Sequence, residues 1–266
     1  MINVSIVLYK NTVSEISDLI DALKKSEIVS KIFLLDNSPA ETAEFQQFGV
    51  NYIFIGKNLG YGVAHNIALR KSLEQNVDYH LVVNPDILLN KKALAQIENF
   101  MNKNAEIGQI MPKIFYPDGK IQYLCKLIPS PFDLFVRRFL PASFTKKSSA
   151  RFEMRTSGYD KIMDVPYLSG CFMFLRISAL RKIGLFDERF FMYPEDIDLT
   201  RRMNREFRTV FYPEVSVVHN HARQSYVNCK MLMIHIINII RYFNKWGWFF
   251  DNERKIVNNQ IISKLV

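Results

Sequence analysis

In the first 112 residues, short runs of aliphatic and aromatic residues alternate with stretches in which apolar residues recur every three or four positions. Such runs are typical of buried strands, and the wider spacing is typical of helices that bury one face. The predicted strands are residues 4–8, 32–35, 52–55, 79–83 and 107–114. The predicted helices are residues 14–25, a stretch that ends near residue 73, and residues 92–101. This alternation predicts an α/β fold with a mostly parallel, doubly wound sheet.

Polar residues follow three of these strands at the point where each strand ends. Asp36 follows the second strand, Asn58 the third and Asp86 the fourth. The carboxyl ends of parallel strands meet at one edge of a sheet, where such folds bind their ligands. Each residue alone could belong to a turn, but their convergence indicates a nucleotide site. The glycine-bearing loop that starts at Asn58 leads into a helix, and a helix N-terminus can approach a phosphate closely.

The densest group of charges lies in residues 190–202, where aromatic residues lead into three carboxylates and two arginines. Pro194 suits the first turn of a helix, and the carboxylates Glu195, Asp196 and Asp198 suit the positive end of a helix dipole. An acidic helix start is therefore one interpretation. The aromatic residues favour a second, because they would bring the carboxylates to the edge of an apolar surface. A partly desolvated carboxylate can act there as a general base.

Two histidines follow a pair of predicted strands at residues 208–212 and 215–218. His219 and His221 would share one face of an extended chain, since side chains alternate along a strand. A neutral imidazole is a good ligand for a divalent metal, and the guanidinium of Arg223 suits a diphosphate. A lone histidine is more often structural, but this arrangement favours a metal or diphosphate contact, with His219 preferred to His221.

Composition and charge limit the classes of partner. The 266 residues carry a formal charge of +9, and 48% of them are hydrophobic, which is enough to fill a core. A basic chain favours an acidic partner: nucleic acid, an anionic membrane surface or a phosphorylated substrate. Nucleic acid is not expected, because the basic residues are spread over loops and the tail without a recognition helix. Three widely spaced cysteines predict neither disulfides nor a zinc site, and the N-terminus has the pattern of a strand rather than a signal peptide, as expected for a cytoplasmic protein.

Two segments lie outside the predicted sheet. Residues 125–160 contain several prolines and apolar groups, which predicts a mobile loop with a short helix facing either the acceptor or a membrane; a plain surface insertion is equally compatible. Residues 231–250 predict an amphipathic helix that is too interrupted by polar residues for a membrane span. Its Lys245 and Trp246 suit the headgroup region of a membrane. The alternative is a helix packed on the rest of the protein.

The segment from Ser169 to Arg202 resembles the family 2 glycosyltransferases, and among them the rhamnosyltransferase-like branch. The shared pattern is a small-residue strand, a G-x-F-D-E turn, and an aromatic lead into E-D-x-D-L and an arginine. The matching residues are Gly184, Phe186, Asp187, Glu188, Glu195, Asp196, Asp198, Leu199 and Arg202. The first half of the chain matches as well, in a D-N-x-S turn, an asparagine and glycine loop, and a D-x-D motif. The residues there are Asp36, Asn37, Ser38, Asn58, Gly60, Asn66, Asn84 and Asp86.

The resemblance implies a GT-A fold and a role for each matching residue. Asp196 would be the catalytic base. The residues implied to bind the nucleotide sugar are Asp36, Asn37, Asn58, Gly60, Asn66, Asn84, Asp86 and Arg223. Asp86 and His219 would hold Mg²⁺ or Mn²⁺, although Asn84 stands where the family has an aspartate, which leaves one carboxylate in that motif. The residues implied on the acceptor side or in secondary roles are Glu195, Asp198, Arg202 and His221.

The expected organisation is a GT-A catalytic domain over residues 1–225, followed by an amphipathic helical extension over residues 226–266. Within the catalytic domain, residues 1–112 would form the nucleotide-binding half and residues 113–225 the acceptor half.

The expected function is inverting transfer of rhamnose from dTDP-rhamnose to a lipid-linked oligosaccharide, in the assembly of a bacterial surface polysaccharide such as O-antigen or capsule. The protein would lie at the inner face of the cell membrane, in peripheral contact with its anionic surface. A UDP-sugar-dependent enzyme of the same fold is the alternative, and a sugar-phosphate nucleotidyltransferase is a more remote one. The chain lacks the glycine-rich and basic signature after the first strand that would favour the nucleotidyltransferase.

Overall fold

The computed structural model describes residues 1–90, 92–136, 142–220 and 229–264, and it confirms the predicted α/β architecture. The strands are β1 Ile2–Leu8, β2 Val29–Asp36, β3 Asn51–Phe54, β4 Tyr79–Val83, β5 Ile87–Leu89, β6 Ile107–Phe115, β7 Cys125–Lys126, β8 Met163–Asp164, β9 Tyr167–Leu168, β10 Phe172–Arg176 and β11 Arg208–His219. The α-helices are α1 Val13–Lys24, α2 Tyr61–Glu74, α3 Ala93–Lys103, α4 Ala142–Phe152, α5 Ile177–Ile183, α6 Glu195–Asn204, α7 Cys229–Trp246 and α8 Asn252–Ser263.

The central sheet has a parallel part and a mixed part. In the described residues its strand order is β3-β2-β1-β4-β10-β6-β11-β5, and β8 also pairs with β11. Strands β1 to β4 run parallel to one another, as the alternation of strands and helices predicted. Strand β10 is antiparallel to both of its neighbours, β4 and β6. Its N-terminal end therefore lies beside the carboxyl end of β4, so the residues just before β10 reach the ligand-binding edge.

Two predicted segments differ from the structure. The strands expected at residues 208–212 and 215–218 are one strand, β11, whose pairing with β6 shifts register between Tyr212 and Ser216. Pro213 explains the shift, because proline has no N–H to donate to a sheet. In residues 125–160, predicted as a mobile loop with a short helix, the structure has helix α4 and also strand β7, which pairs with β9 and was not predicted; residues 137–141 of that segment lie outside the described ranges.

Both faces of the sheet are covered by helices, which explains why the strands are almost continuously apolar. On one face, Val4 and Ile6 belong to a core cluster that includes residues of α1 and α3. On the other face, Val82 and Met173 pack with residues of α2, α5 and α6. The sheet thus fixes α2 and α6 on the same side, where their N-terminal ends approach the ligand-binding edge.

The C-terminal segment packs against α6 through a buried arginine. The guanidinium of Arg201 donates to both carboxylate oxygens of Asp251, at 2.8 and 2.7 Å, and to Glu253 at 2.7 Å. Its central carbon lies 4.1 Å from the ring centre of Trp246. Trp246 therefore packs within the protein, in agreement with the alternative prediction of a packed helix, and a membrane contact of the opposite face of this helix stays a prediction. Burial of these charges is tolerated because each is paired and hydrogen-bonded.

The outward side of α7 keeps an apolar stripe formed by Met233, Ile237 and Ile240, which are 58%, 42% and 39% exposed. Within the described ranges, no helix combines the length and the apolar character that crossing a membrane requires.

Candidate active site

The turn after β2 forms one wall of the site. Asp36 is buried, and its two carboxylate oxygens accept hydrogen bonds of 2.9 Å from the backbone N–H of Ser38 and from the hydroxyl of Tyr52. The next residue, Asn37, donates from Nδ2 to the carbonyl of Gly60 at 3.0 Å. Its Oδ1 is buried and has no hydrogen-bond donor among the described residues. Because buried acceptors are normally paired, this atom is one that a ligand can satisfy.

Gly60 allows the nucleotide-side loop to touch the acidic segment. Its φ of +88° is a conformation that other residues rarely adopt, and its N–H donates to Oδ1 of Asn58 at 2.9 Å. A Cβ on this residue would collide with the carbonyl oxygen of Phe191, which also accepts the N–H of Tyr61 at 3.0 Å. The glycine is therefore required both by its φ angle and by the close approach of the segment that leads into α6.

The ends of β4 and β11 meet at a histidine. Nε2 of His219 lies 3.3 Å from Oδ1 of Asp86 and 3.4 Å from Nδ2 of Asn84, and Nδ1 lies 3.0 Å from Oε1 of Gln122. Burial lowers the pKa of His219, but its hydrogen bonds to Asp86 and Cys171 outweigh burial and raise the pKa to about 10. In this form the site holds an imidazolium beside a carboxylate.

Asp86 and His219 are the residues that could hold a divalent metal ion. They supply one oxygen ligand and, when His219 gives up its Nε2 proton to the incoming metal, one nitrogen ligand of the kinds that such ions use. The amide oxygen of Asn84 accepts a hydrogen bond from the hydroxyl of Tyr61 at 3.1 Å. In the part of the chain that the structure describes, no three His, Cys, Asp or Glu side chains form a metal-binding group. Two protein ligands fit a Mg²⁺ or Mn²⁺ that is also bound by waters and substrate phosphates, and they do not fit a closed protein cage.

Asp196, the predicted base, is the second residue of α6. Its Oδ2 accepts the N–H of Gly170 at 2.8 Å and lies 3.5 Å from the hydroxyl of Tyr167; its Oδ1 accepts the N–H of Ile197 at 2.8 Å. Burial raises the pKa of Asp196 to about 6, although the hydrogen bond from Gly170 and the positive charge of Lys126 act in the opposite direction. A carboxyl group with this pKa is ionised at neutral pH and is a stronger base than an exposed aspartate.

Glu195 lies next to this base and differs from it in its hydrogen bonds. The side chain is buried, and its Oε2 has no hydrogen-bond partner in the described structure. Burial and the negative charge of Asp196 raise the pKa of Glu195 well above its usual range. Of the two carboxyl groups, Asp196 is therefore the one that ionises more readily, because backbone N–H groups stabilise its negative charge.

A chain of hydrogen bonds joins Asn84, at the end of β4, to Asp196, the predicted base. The hydroxyl of Tyr61 lies 3.1 Å from Oδ1 of Asn84 and 2.7 Å from the carbonyl of Gly170, whose N–H binds Asp196. A Cβ on Gly170 would lie only 3.2 Å from the Cβ of Asp196, so this position also needs a small residue. Asp196 and the strand end that carries Asp86 consequently line one site.

The sequence did not predict the linking roles of Tyr61, Gly170, Tyr167 and Gln122. Gly170 lies in the small-residue entry to β10, which the sequence shows, but its partner Asp196 is 26 residues away. Only the antiparallel placement of β10 beside β4 brings the two together.

Asp198 and Arg202 were predicted on the acceptor side or in secondary roles. The carboxylate of Asp198 is fully buried and binds Nε of Arg202 at 2.9 Å, Nε1 of Trp246 at 2.9 Å and Nζ of Lys245 at 2.5 Å. Arg202 also donates to the carbonyl of Ile183 at 2.7 Å. Both side chains are thus occupied in holding α5, α6 and α7 together, and Asp198 has no free oxygen for an acceptor hydroxyl.

Asn66 was predicted to contact the nucleotide sugar, but its amide is occupied elsewhere. Nδ2 donates to the carbonyl of Phe186 at 2.9 Å and to Glu188 at 3.1 Å, and Oδ1 accepts the N–H of Phe186 at 3.1 Å. The side chain therefore fixes the G-x-F-D-E turn against α2. His221 and Arg223 lie outside the described residues, and their contacts stay predictions.

Comparison with known proteins shows relatives among enzymes of glycan synthesis. No protein-family model matches the chain. An N-acetylglucosaminyl-diphospho-decaprenol L-rhamnosyltransferase of Mycobacterium tuberculosis is 27% identical over 73% of this chain and 67% of its own length. The rhamnosyltransferase WbbL of Escherichia coli is 27% identical over 85% of this chain and 87% of its own. The low-salt glycan biosynthesis hexosyltransferase Agl10 of Haloferax volcanii is 26% identical over 100% of this chain and 78% of its own.

Solved structures show the same fold in more distant glycosyltransferases. GalNAc-T7, solved with UDP, GalNAc and Mn²⁺, superposes on 96% of this chain with a TM-score of 0.66 and 14% identity; the chain spans about half, 49%, of that protein. The mannosyltransferase PcManGT of Pyrobaculum calidifontis, solved with GDP-Man and Mn²⁺, has a TM-score of 0.55 and 15% identity over 90% of this chain and 64% of its own. From the fold, the placement of the acidic helix and these relatives together, we conclude that the chain is a GT-A fold glycosyltransferase, similar in sequence to the rhamnosyltransferase-like branch of family 2.

Proposed function

We propose that the protein is an inverting rhamnosyltransferase that transfers rhamnose from dTDP-rhamnose to a lipid-linked oligosaccharide during assembly of a bacterial surface polysaccharide. Two relatives are named as rhamnosyltransferases, and the name of the mycobacterial one specifies a lipid-linked diphosphate acceptor. The hexosyltransferase relative, which matches the whole chain, is not named for rhamnose, and a UDP-sugar-dependent transferase of the same fold is the alternative. Residues 1–225 would form the catalytic domain and residues 226–266 a helical extension of it.

The observation that carries the proposal is the state of Asp196. Its carboxylate is buried at the start of α6, receives two backbone N–H groups at 2.8 Å and has a pKa raised to about 6. A side chain in this state can take the proton of an acceptor hydroxyl at neutral pH. Burial and the negative charge of Asp196 raise the pKa of the neighbouring Glu195 as well, and Glu195 lacks the backbone N–H group of Gly170 that binds Asp196.

The proposed reaction is a single displacement. The acceptor oxygen attacks the anomeric carbon of the sugar while Asp196 accepts its proton. The bond between that carbon and the diphosphate breaks, and its electron pair leaves with the diphosphate. Because attack and departure take place on opposite faces of the sugar, the anomeric configuration inverts. The hydrogen-bonded arrangement of Asn84, Tyr61 and Gly170 would hold the base at a fixed position relative to the donor.

The nucleotide side would be formed by the loops that converge at the ends of β2, β3 and β4. Asn37, Asn58 and Gly60 form one hydrogen-bonded unit there, and Oδ1 of Asn37 is available to a donor group of the nucleotide. Asp86 and His219 would hold Mg²⁺ or Mn²⁺, which supplies Lewis-acid stabilisation of the leaving diphosphate when it is bound. Arg223 would add a diphosphate contact.

Product analysis tests the proposal and separates it from its alternatives. The purified protein with Mn²⁺ is offered dTDP-rhamnose, UDP-glucose or UDP-galactose together with an N-acetylglucosaminyl-diphospho-polyprenol, and lipid products are identified by mass spectrometry and NMR. A rhamnosylated lipid with inverted anomeric configuration is expected only with dTDP-rhamnose. A hexosylated lipid formed only from a UDP-sugar would establish the alternative donor, and retention of configuration would contradict the role of Asp196.

A further inference from the structure

A groove of about 770 Å³ lies between the segment before α4, helix α4 itself and the start of α8. Its apolar floor includes Leu127, Ile128 and Phe152, which are buried. The groove is separate from the strand ends that carry Asp86 and His219, and none of the residues of the proposed reaction lines it.

Several large aromatic side chains at this groove and on helix α4 are exposed to solvent. Phe249 and Phe250 are 77% and 99% exposed, and Phe132 on the other side of the groove is 43% exposed. Phe144, on α4, is 80% exposed. Single exposed apolar residues are common on protein surfaces, but several large ones grouped at one groove indicate an interaction surface.

The same groove is basic. Lys147 and Arg151 of α4 and Arg254 and Lys255 of α8 line it. In the described structure, Lys147, Arg151 and Lys255 form no ion pair with an acidic side chain. The groove thus offers cations without carboxylate partners next to exposed aromatic rings.

The two acidic residues of the groove do not neutralise it. Asp251 is bound by the buried guanidinium of Arg201, and Asp133 accepts hydrogen bonds from the backbone N–H and hydroxyl of Ser130, at 2.8 and 2.6 Å. The four basic residues of the groove outnumber these two carboxylates, so its net charge is positive, and the complementary ligand is an anion with an apolar part.

We propose that this groove and its aromatic rim bind the anionic phospholipid surface of a membrane. Phe249 and Phe250 would enter the boundary between headgroups and acyl chains, while Lys147, Arg151 and Lys255 would contact lipid phosphates. Aromatic rings beside basic side chains are the combination that settles at such a surface, and each basic residue adds to the attraction of an anionic leaflet. The inference deepens the proposed use of a lipid-linked acceptor and rests on it for its biological purpose.

The groove is connected to the base by one pair of short strands. Leu127 directly follows β7, and β7 pairs with β9, which carries Tyr167. The hydroxyl of Tyr167 lies 3.5 Å from Asp196, and the ammonium of Lys126 in β7 lies 5.2 Å from the ring centre of Tyr167. A protein attached to the membrane through the groove would therefore keep its base close to acceptors that are anchored in the same membrane.

Vesicle sedimentation tests the proposal without relying on transferase activity. The purified full chain is mixed with vesicles of equal parts phosphatidylglycerol and phosphatidylcholine, or of phosphatidylcholine alone, at low salt. Binding is expected with the anionic vesicles only. The double variant Lys147→Glu with Lys255→Glu should weaken it at least about tenfold, since every lost basic contact near an anionic surface costs about fivefold in affinity. The double variant Phe249→Ser with Phe250→Ser should also weaken it at least about tenfold, because it removes two large apolar side chains from the membrane interface.

Matched controls keep the result specific. Lys31→Glu with Lys71→Glu makes the same charge change at exposed positions of β2 and α2 and should lower binding far less. Ile237→Ser with Ile240→Ser alters the apolar stripe of α7 and should leave binding nearly unchanged. Loss of binding in the α7 variant but not in the groove variants would overturn the assignment, as would equal binding to neutral vesicles. The assignment would also be overturned if the groove mediated self-association. In that case analytical ultracentrifugation would detect dimers of the wild type, and the double variant Phe249→Ser with Phe250→Ser would be monomeric.

Failure of this inference can be told apart from failure of the proposed function. The groove variants should keep full turnover of dTDP-rhamnose with a short-chain, water-soluble acceptor, because they leave Asp196 and the nucleotide side intact. Normal vesicle binding without rhamnosyl transfer would support the groove and contradict the donor assignment. Normal rhamnosyl transfer without vesicle binding would support the donor assignment and contradict the membrane-binding groove.

Discussion

Helix α6 carries carboxylates on two sides, and the two sides are held by different groups. On one side, Asp196 is bound by backbone N–H groups and has the buried Glu195 as its neighbour. On the other side, Asp198 is surrounded by Arg202, Lys245 and Trp246. Both aspartates are buried and are only two positions apart. A carboxylate that is paired with cations is stabilised in its charged form and is a weak base. A buried carboxylate that has only backbone N–H groups as partners is a stronger base.

The largest expected effect comes from removing the charge on the reactive side. Asp196→Asn should lower kcat by about a hundred- to ten-thousand-fold, the usual contribution of a positioned base. The free energy of unfolding should change by no more than about 1 kcal/mol, because one N–H partner is lost while a buried charge is removed. The check combines product formation at saturating donor with urea unfolding. Near-normal kcat in a folded variant would exclude Asp196 as the base.

The second effect is on stability and comes from the other side of the helix. Asp198→Asn should lower the free energy of unfolding by about 3 kcal/mol, because it leaves the partly buried Arg202 without a carboxylate and leaves Lys245 with Asp187 alone. The kcat of the folded fraction should stay within a few fold of the wild type.

Urea unfolding measures the stability change, and Asp118→Asn is its control. Asp118 pairs with Lys120 at the surface, so this substitution should not change stability measurably. If Asp198→Asn abolished turnover while leaving the protein as stable as the wild type, the division between the two sides would be wrong.

The contact between the reactive side and the nucleotide loop gives a smaller effect. Gly60→Ala should cost about 2 kcal/mol of stability and raise the KM for the donor, since the added Cβ meets the Phe191 carbonyl. Gly119→Ala is the matched control: its φ is +79°, but nothing lies within 4 Å of the added Cβ. It should show only the cost of the φ angle and leave the KM unchanged. Equal effects of the two substitutions would show that the close approach is unimportant.

The pH dependence of activity is expected to follow the reactive side. Asp196 must be ionised to accept a proton, so kcat/KM should fall about tenfold per pH unit below pH 6. The charge of Lys126 lowers the pKa of Asp196, and Lys126→Met should therefore move the midpoint to higher pH. Initial rates between pH 5 and 8, measured for both proteins, test this shift. A midpoint that moved downward, or a profile without a limb near pH 6, would contradict the assignment.

Acid unfolding must be excluded in the same experiment, and it has a separate cause. Burial lowers the pKa of His80 to about 3, whereas an unfolded histidine titrates near its ordinary value of 6.5. The unfolded state then binds more protons than the folded state, so stability is present above pH 6.5 and is lost as the pH falls towards 3. His80 alone contributes a slope of about 1.4 kcal/mol per pH unit, and His65, whose pKa is also lowered by burial, acts in the same direction. Urea midpoints measured across the same pH range show whether the rates refer to folded protein.

The sequence predicted the parts of the site that depend on local order along the chain. The apolar runs of β1, β2 and β4 are continuous in sequence, and the turn residues Asp36 and Asp86 follow directly from where those strands end. Pro194 and the acidic residues after it predicted the start of α6 at Glu195. The resemblance to a family, drawn from motifs in their order, agrees with the GT-A fold of the structure.

What the sequence did not predict is the antiparallel position of β10 and the neighbours it provides. Strand β10 pairs with β4, which lies about 90 residues earlier in the chain. Many other strands could compete for that pairing, and the local pattern of apolar residues does not show which of them is favoured. The same holds for the tail. Lys245 and Trp246 looked suited to a membrane by composition, and the structure places them on Asp198.

The sequence by itself determined which chemical groups are present, and it placed Glu195, Asp196 and Asp198 together at a helix start. Only the tertiary structure gave each of them its own surroundings, and those of Asp196 are the reason why we propose it as the base. Electrostatic energy depends on distance in space and on exclusion of water, not on separation along the chain. The cations that neutralise Asp198 arrive from α7, and the N–H group that supports Asp196 arrives from the entry to β10. Three neighbouring carboxylates thus acquired different roles when the fold brought different partners to each.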